Sequence, residues 1–250
     1  VQHYVTGFGM AGDEQVHRAV EFRDAFKFAK EELGLHTTVH AGEALGADGV
    51  WEVVNHLPIE RIGHGVRSID DPELVQEIAD RGLVLEVCLR SNIALEVYPD
   101  FASHPFNKLR EAGVKVTVNS DDPALFNGSI GEEYELAEKH FGMAPEEQLQ
   151  MTRRAIEAGF VDDVTKQRLL KRVEKALTNL RAGKPLDQID EGPIDDTSRR
   201  RRLIDGINDI LGTSTPHQDK PSNDGDAKDK PANDGEAPRA DRRGPRTGPA

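Results

Sequence analysis

Thr38-Val39-His40-Ala41-Gly42-Glu43 is the stretch on which the fold of this chain turns. Leu35 to Val39 reads as a short strand: Thr37, Thr38 and Val39 are β-branched, and Gly34 marks the break before them. The strand ends at His40, and Ala41-Gly42 lets the chain turn towards Asp48-Gly49-Val50-Trp51. A His closing a strand, with a Glu on the turn beyond, aims both side chains into one mouth. Taken alone, the hexapeptide is an ordinary loop histidine beside a solvated glutamate. Its weight comes from a pattern that repeats on either side of it.

Upstream lies a strand-like Tyr4 to Gly9, a turn at Met10-Ala11-Gly12-Asp13-Glu14, and a segment from Gln15 to Leu33. Apolar residues at Val16, Val20, Phe26, Ala29 and Leu33 predict one amphipathic helix there, capped by Gly34. Downstream, a helix through Val50, Val53, Val54 and Leu57 stops at Pro58. Arg61-Ile62-Gly63-His64-Gly65 follows, then a helix that Asp71-Pro72 opens as N-cap and first turn. Leu83 to Cys88 gives a fourth strand, a Ser- and Asn-rich loop, and a short helix over Pro105 to Ala112. Val114 to Asn119 gives a fifth, ending in Ser120-Asp121-Asp122-Pro123. Strands alternating with helices at this pitch predict βα units and a parallel sheet, an α/β fold.

Composition narrows the partners. The chain has 250 residues, about what one (β/α)8 TIM barrel needs. No apolar run is long enough for a bilayer, which predicts a soluble chain with no membrane role. A single cysteine, Cys88, leaves no internal disulfide framework and fits a reducing, cytoplasmic setting. The formal net charge is -13, and acidic and basic residues balance from Thr213 onward, so the acidic excess lies in the body. Such a body repels a nucleic acid backbone and suits a small-molecule substrate.

Three strands finish on His40, His64 and the Asp121-Asp122 pair. Barrel enzymes draw catalytic residues from the C-terminal ends of several strands, and His and carboxylate ligands converging from separate elements suit a divalent metal such as zinc. Each residue has a plainer reading: a lone His is usually structural, and Asp121-Asp122-Pro123 makes a serviceable turn and helix cap. Cys88 reads as a small packed side chain. Polar residues at equivalent positions of successive units are harder to set aside than any one of them.

Met10-Ala11-Gly12-Asp13-Glu14, Thr38-Val39-His40-Ala41-Gly42-Glu43, Arg61-Ile62-Gly63-His64-Gly65 and Asn119-Ser120-Asp121-Asp122-Pro123 resemble, in order and spacing, the consecutive motifs of the adenosine deaminases. The resemblance covers roughly Val5 to Leu180. It implies a metal-dependent hydrolase barrel holding one zinc ion, with His40 and Asp121 as metal ligands. Glu43 would protonate a purine ring nitrogen, and His64 would orient or deprotonate the attacking water. Asp122 and the backbone of Gly12 would hold the purine. The implied reaction is hydrolytic loss of ammonia from adenosine or 2′-deoxyadenosine, a purine nucleoside. Adenine deaminases, and deaminases of modified adenosines such as aminodeoxyfutalosine, share the same motifs. The Leu89 to Pro105 stretch is expected to help choose among them. The other zinc deaminase pattern, H-x-E with P-C-x-x-C, is excluded by the single cysteine.

The chain departs from the family at one point. The resemblance calls for a His-x-His pair on the first barrel strand, and none occurs here; His3 and His17 have the wrong spacing. Five strand–helix units against the eight of a barrel lead to the same expectation: residues 1–182 form its C-terminal part. An open sheet of that kind is expected to expose an edge and an apolar face. Helices are expected over Glu132 to Phe141, Pro145 to Ala158 and Val164 to Leu180, then a helical extension over residues 183–212. Leu203 to Leu211, after the basic run Arg199 to Arg202, reads as a short amphipathic helix. Residues 213–250 carry the near-repeat Asp219-Lys220-Pro221 and Asp229-Lys230-Pro231, a polar composition expected to stay disordered. A non-catalytic binding protein and a barrel hydrolase acting on an amide or phosphoester are the alternatives. Retention of His40, Glu43, His64, Asp121 and Asp122 together argues against the first, and Glu43 against the second.

Overall fold

A computed structural model of the chain describes residues 5–186. The expected amphipathic helix over Leu203 to Leu211, the polar repeat beyond it, and His3 lie outside those residues. In chain order the elements are β1 (Gly7–Met10), α1 (Arg23–Lys27), β2 (His36–Ala41), α2 (Ala47–His56), β3 (Arg61–His64), α3 (Pro72–Asp80), β4 (Val84–Val87), α4 (Leu89–Ala94), α5 (Phe106–Glu111), β5 (Lys115–Val118), α6 (Pro123–Phe126), α7 (Ile130–Phe141), α8 (Pro145–Ala158) and α9 (Asp163–Arg181). The strands form one parallel sheet in the order β1-β2-β3-β4-β5. A doubly wound sheet reverses its strand order part-way, whereas a barrel adds strands in sequence. Among the described residues the fold is therefore α/β, five consecutive βα units of a (β/α)8 barrel.

One face of the sheet is covered by helices. Val39, Ile62, Leu85 and Val116 are fully buried there with Val50, Leu74, Ile78, Phe106 and Leu109 from the helices. The opposite face differs from the apolar surface expected. Arg61 pairs with Glu86 at 2.9 Å, and Thr38 Oγ1 donates to the other Glu86 oxygen at 2.9 Å. Thr38, Arg61 and Glu86 thus set a polar network on the face that a closed barrel turns to its interior. The guanidinium of Arg61 also lies 3.5 Å over the Phe160 ring and donates to the Ala158 carbonyl, tying the end of α8 beneath the sheet.

The helix expected from Gln15 to Leu33 is a composite. Asp13 holds a turn, accepting from Gln15 N–H through its side chain and from Val16 and His17 through its carbonyl. A 3₁₀ turn (Ala19–Phe22), α1 and a π-helical turn (Phe28–Glu32) follow. Phe26 and Ala29 are buried as expected, but Val16 is 65% exposed. The polar loop after Cys88 holds a further helix, α4. Asp71 caps α3 as anticipated, accepting from Glu73 and Leu74 N–H ahead of Pro72. No helix among the described residues is long and apolar enough to cross a membrane.

Two glycines separate the strain of a positive φ from lack of space. Gly34 and Gly65 have nearly the same φ, +63° and +66°. A Cβ on Gly34 would meet nothing within 4 Å, whereas one on Gly65 would sit 2.5 Å from Cδ2 of fully buried Leu85. Gly34→Ala is expected to cost about 1–2 kcal/mol from backbone strain. Gly65→Ala should add a further ~1–3 kcal/mol of overpacking. Urea unfolding midpoints of the two variants check this, and equal losses would refute it.

Candidate active site

Parallel pairing in step brings the strand ends level: His40 lies opposite Gly63, and Ala41 opposite His64. The missing side chain at Gly63 makes room for the neighbouring imidazole, since a Cβ there would fall 2.7 Å from His40 Nδ1. At the strand ends the backbone kinks. His64 and Asp121 both take left-handed conformations, φ +59° and +56°, which are sparsely populated for residues other than glycine. Such kinks persist where surrounding structure fixes them, and they cluster at functional sites.

The outcome is a convergence. His40, His64 and Asp121 each present a potential ligand atom, and the three lie within 4.8 Å of one another. The rings of His40 and His64 meet edge to face at 4.9 Å. Around them opens a cavity of about 400 Å³, which Glu86, Cys88 and Ile130 also line. Two imidazoles and one carboxylate form a donor set that fits a divalent metal ion. Cys88 is buried, and burial raises its thiol well above the ordinary range, so it packs as an inert side chain.

Glu43 completes the group. Its Oε1 lies 3.4 Å from His64 Nε2, yet that oxygen is buried and makes no hydrogen bond. Burial, with the charges of Asp121 and Glu14 behind it, pushes the Glu43 carboxyl up to about 7. His64 moves the other way: burial and neighbouring His40 push it down to about 4, against the pull of Asp121.

Two anticipated residues stand apart from this cluster. Asp122 is exposed and caps α6, its Oδ1 accepting from Ala124 and Leu125 N–H. Gly12, φ +127°, lines a separate cavity of about 450 Å³ with Phe8, Met10 and Phe22.

Residues to which the sequence reading gave no role support the site from behind. Glu14, only 8% exposed, accepts backbone N–H bonds from Gly42, Glu43 and Leu45 at 3.0–3.1 Å, clamping the turn that carries Glu43. The buried Ser91 hydroxyl donates to Asp121 Oδ2 at 2.6 Å, and buried Asn92 bonds to His64 Nδ1 at 3.1 Å. Glu14 was visible only as a member of a motif. Ser91 and Asn92 sit in the stretch read as selecting the substrate.

The Glu43 carboxyl gives a pH signature. Its folded pKa exceeds the ordinary 4.5, so between that value and about 7 the folded chain binds more protons than the unfolded one. That contribution to stability is therefore lost as pH rises through this window. His64, depressed when folded, acts in the opposite sense below its ordinary 6.5, so wild type must be compared with Glu43→Gln. Glu43→Gln is expected to gain urea resistance relative to wild type between about pH 5 and about pH 7.5 in the metal-free chain. A difference that stays constant with pH would remove the raised carboxyl.

Residues 2–176 match the sequence profile of the family described as adenosine deaminase. The chain is 51% identical over 166 residues to an adenine deaminase of Rhizobium meliloti (strain 1021), covering 66% of this chain and 51% of that protein. The crystal structure of an adenine deaminase from Arthrobacter aurescens superposes with a TM-score of 0.66 at 32% identity, covering 69% of this chain and 53% of that one. An amidohydrolase from Burkholderia ambifaria with bound Zn superposes with a TM-score of 0.65 at 30% identity, covering 72% and 50%. The chain spans about half the length of the curated relatives it matches. It belongs to the adenosine deaminase family.

Proposed function

We propose that this chain carries the acid-bearing half of a zinc-dependent purine deaminase site, and that the substrate is adenine. The observation that carries the proposal is the placement of an unbonded, half-neutralised Glu43 carboxyl against the convergent His40, His64 and Asp121. His40 and Asp121 would hold the metal. When bound, zinc supplies a water acidic enough to lose its proton near neutrality.

Glu43 does the part that no metal can do. Water adds to the six position of an adenine ring only if that ring is made electron-poor, which protonating a ring nitrogen achieves. A carboxylic acid with a pKa of about 7 is still about half protonated at neutrality, and Oε1 makes no hydrogen bond. Water enters at that carbon and ammonia leaves, giving hypoxanthine from adenine. Asp122, exposed at the N-terminus of α6, and Gly12, at its own cavity, are the proposed contacts for the rest of the purine.

Adenine is preferred because a relative at 51% identity is named adenine deaminase. Adenosine, the default for the family, is the second reading, favoured by the family's own description. Two ligands fall short of the four that zinc ordinarily takes. The proposed holoenzyme therefore includes strands beyond those of this chain, in keeping with the half-length it spans.

The test assays a protein that supplies the rest of the barrel with adenine, adenosine and 2′-deoxyadenosine, following loss of the adenine chromophore, alongside metal analysis. Adenine should turn over fastest with one zinc per site. His40→Ala and Asp121→Asn should lose the metal, and Glu43→Gln should keep it while losing about 100-fold or more in kcat. Full activity of Glu43→Gln would end the proton-donor assignment, and preference for adenosine would select the second reading.

A further inference from the structure

A buried chain of hydrogen bonds runs behind His64. Four groups form it: the Phe106 backbone N–H, the ring of His104, the amide of Asn92 and the ring of His64. Phe106 N–H points at His104 Nδ1 at 3.2 Å, His104 Nε2 meets Asn92 Oδ1 at 3.1 Å, and Asn92 Nδ2 meets His64 Nδ1 at 3.1 Å. Asn92 is fully buried, and His64 and His104 are nearly so, leaving water little access to these bonds.

The donors and acceptors in this chain can be ordered from one end. A backbone N–H can only donate, so His104 Nδ1 must be an acceptor and carry no proton. The neutral ring then carries its proton on Nε2, in keeping with burial pushing His104 down to about 4. That N–H needs an acceptor, which turns the Asn92 oxygen towards His104. An amide can rotate end for end, but here one end is fixed, so its NH₂ must face His64. His64 Nδ1 is thereby an acceptor as well, and the neutral ring's proton sits on Nε2.

We propose that Asn92 and His104 are positioning residues that lock His64 as the Nε2–H tautomer. The assignment rests on bond geometry. Its meaning for catalysis rests on the purine deaminase reading. Two consequences follow. An Nε2 that carries a proton has no lone pair to give a metal, so of the three converging groups only His40 and Asp121 are left as ligands. The same N–H, 3.4 Å from Glu43 Oε1 and 4.0 Å from Asp121 Oδ2, is directed at the reacting centre as a donor. His64 then orients the attacking water by a hydrogen bond and does not take its proton as a base.

The test reads the tautomer directly. Long-range ¹H–¹⁵N correlation of the imidazole rings in the metal-free chain shows which nitrogen of each ring bears hydrogen, with His64→Gln and His104→Gln assigning the signals. Both rings should be protonated at Nε2. Asn92→Asp keeps an oxygen for His104 but puts a second oxygen opposite His64 Nδ1, so the His64 proton should move to Nδ1 while His104 stays unchanged. In the complete enzyme the same change should lower kcat by about 10–100-fold with KM little altered. A proton on Nδ1 of His64 in the unaltered chain overturns the proposal, as does an unmoved proton in a folded Asn92→Asp chain. If that variant fails to fold, the unaltered chain decides alone. The proton map is independent of turnover: a correct map without deamination would count against the functional reading, and deamination with the wrong map against the relay.

Discussion

Parallel pairing in step is the constraint on which the rest of this structure depends. With His40 opposite Gly63 and Ala41 opposite His64, the strand ends stand at one level. A shift of one residue would reverse the faces, sending His40 among the helices and Val39 into the interior. Two opposed demands fix the register. Val39, Ile62, Leu85 and Val116 must reach the helical layer, and Arg61, Glu86 and Thr38 must reach one another on the other side. The chemical groups occupy the ends of a sheet that is pinned on both faces.

Holding those groups together is costly, and the surroundings offset the cost locally. Carboxylates and imidazoles taken from water lose hydration that only specific partners replace. Asp121 receives the Ser91 hydroxyl, and the turn bearing Glu43 is held by three N–H bonds to Glu14. Glu43 Oε1 is the exception, buried and unbonded. A group left unsatisfied amid a satisfied network is one to which a ligand can give a partner. The left-handed backbones of His64 and Asp121 belong to the same expenditure, strain placed where it directs side chains inward.

Much of this could be read in the residues themselves. β-Branched runs ending in His40 and Asn119 marked strands, and Asp71-Pro72 marked the start of a helix, because those are local effects of sterics and capping. The convergence of His40, His64 and Asp121 followed from their equivalent positions in successive units. What escaped was non-local or competed with a local rule. Val16 fits a helical stripe, but the Asp13 turn takes that segment first and leaves it exposed. The exposed sheet face was expected to be apolar because an isolated parallel sheet usually is, whereas Thr38, Arg61 and Glu86 form a polar network on it. Asn92 reads as one more polar loop residue, and its meaning lies in bonds to His64 and His104, which alternating hydrophobicity does not encode.

Glu43 and His64 stand as a pair, 3.4 Å apart. In water their order is fixed, the carboxylic acid giving up its proton well before the imidazolium. Here burial raises the acid to about 7 and lowers the imidazole to about 4, and the order reverses. Near neutrality the site therefore holds a protonated or half-protonated carboxyl beside an uncharged ring. Two groups whose surroundings drive their pKa values apart reveal which is the acid. On the proposed reading, proton donation falls to Glu43, and a neutral imidazole is left to direct a hydrogen bond. The Asn92 amide favours the same outcome, since a second proton on His64 would set two donors face to face at Nδ1. Desolvation sets the charge of the pair, hydrogen-bond direction sets the tautomer, and both fit the proposal that Glu43 protonates a substrate.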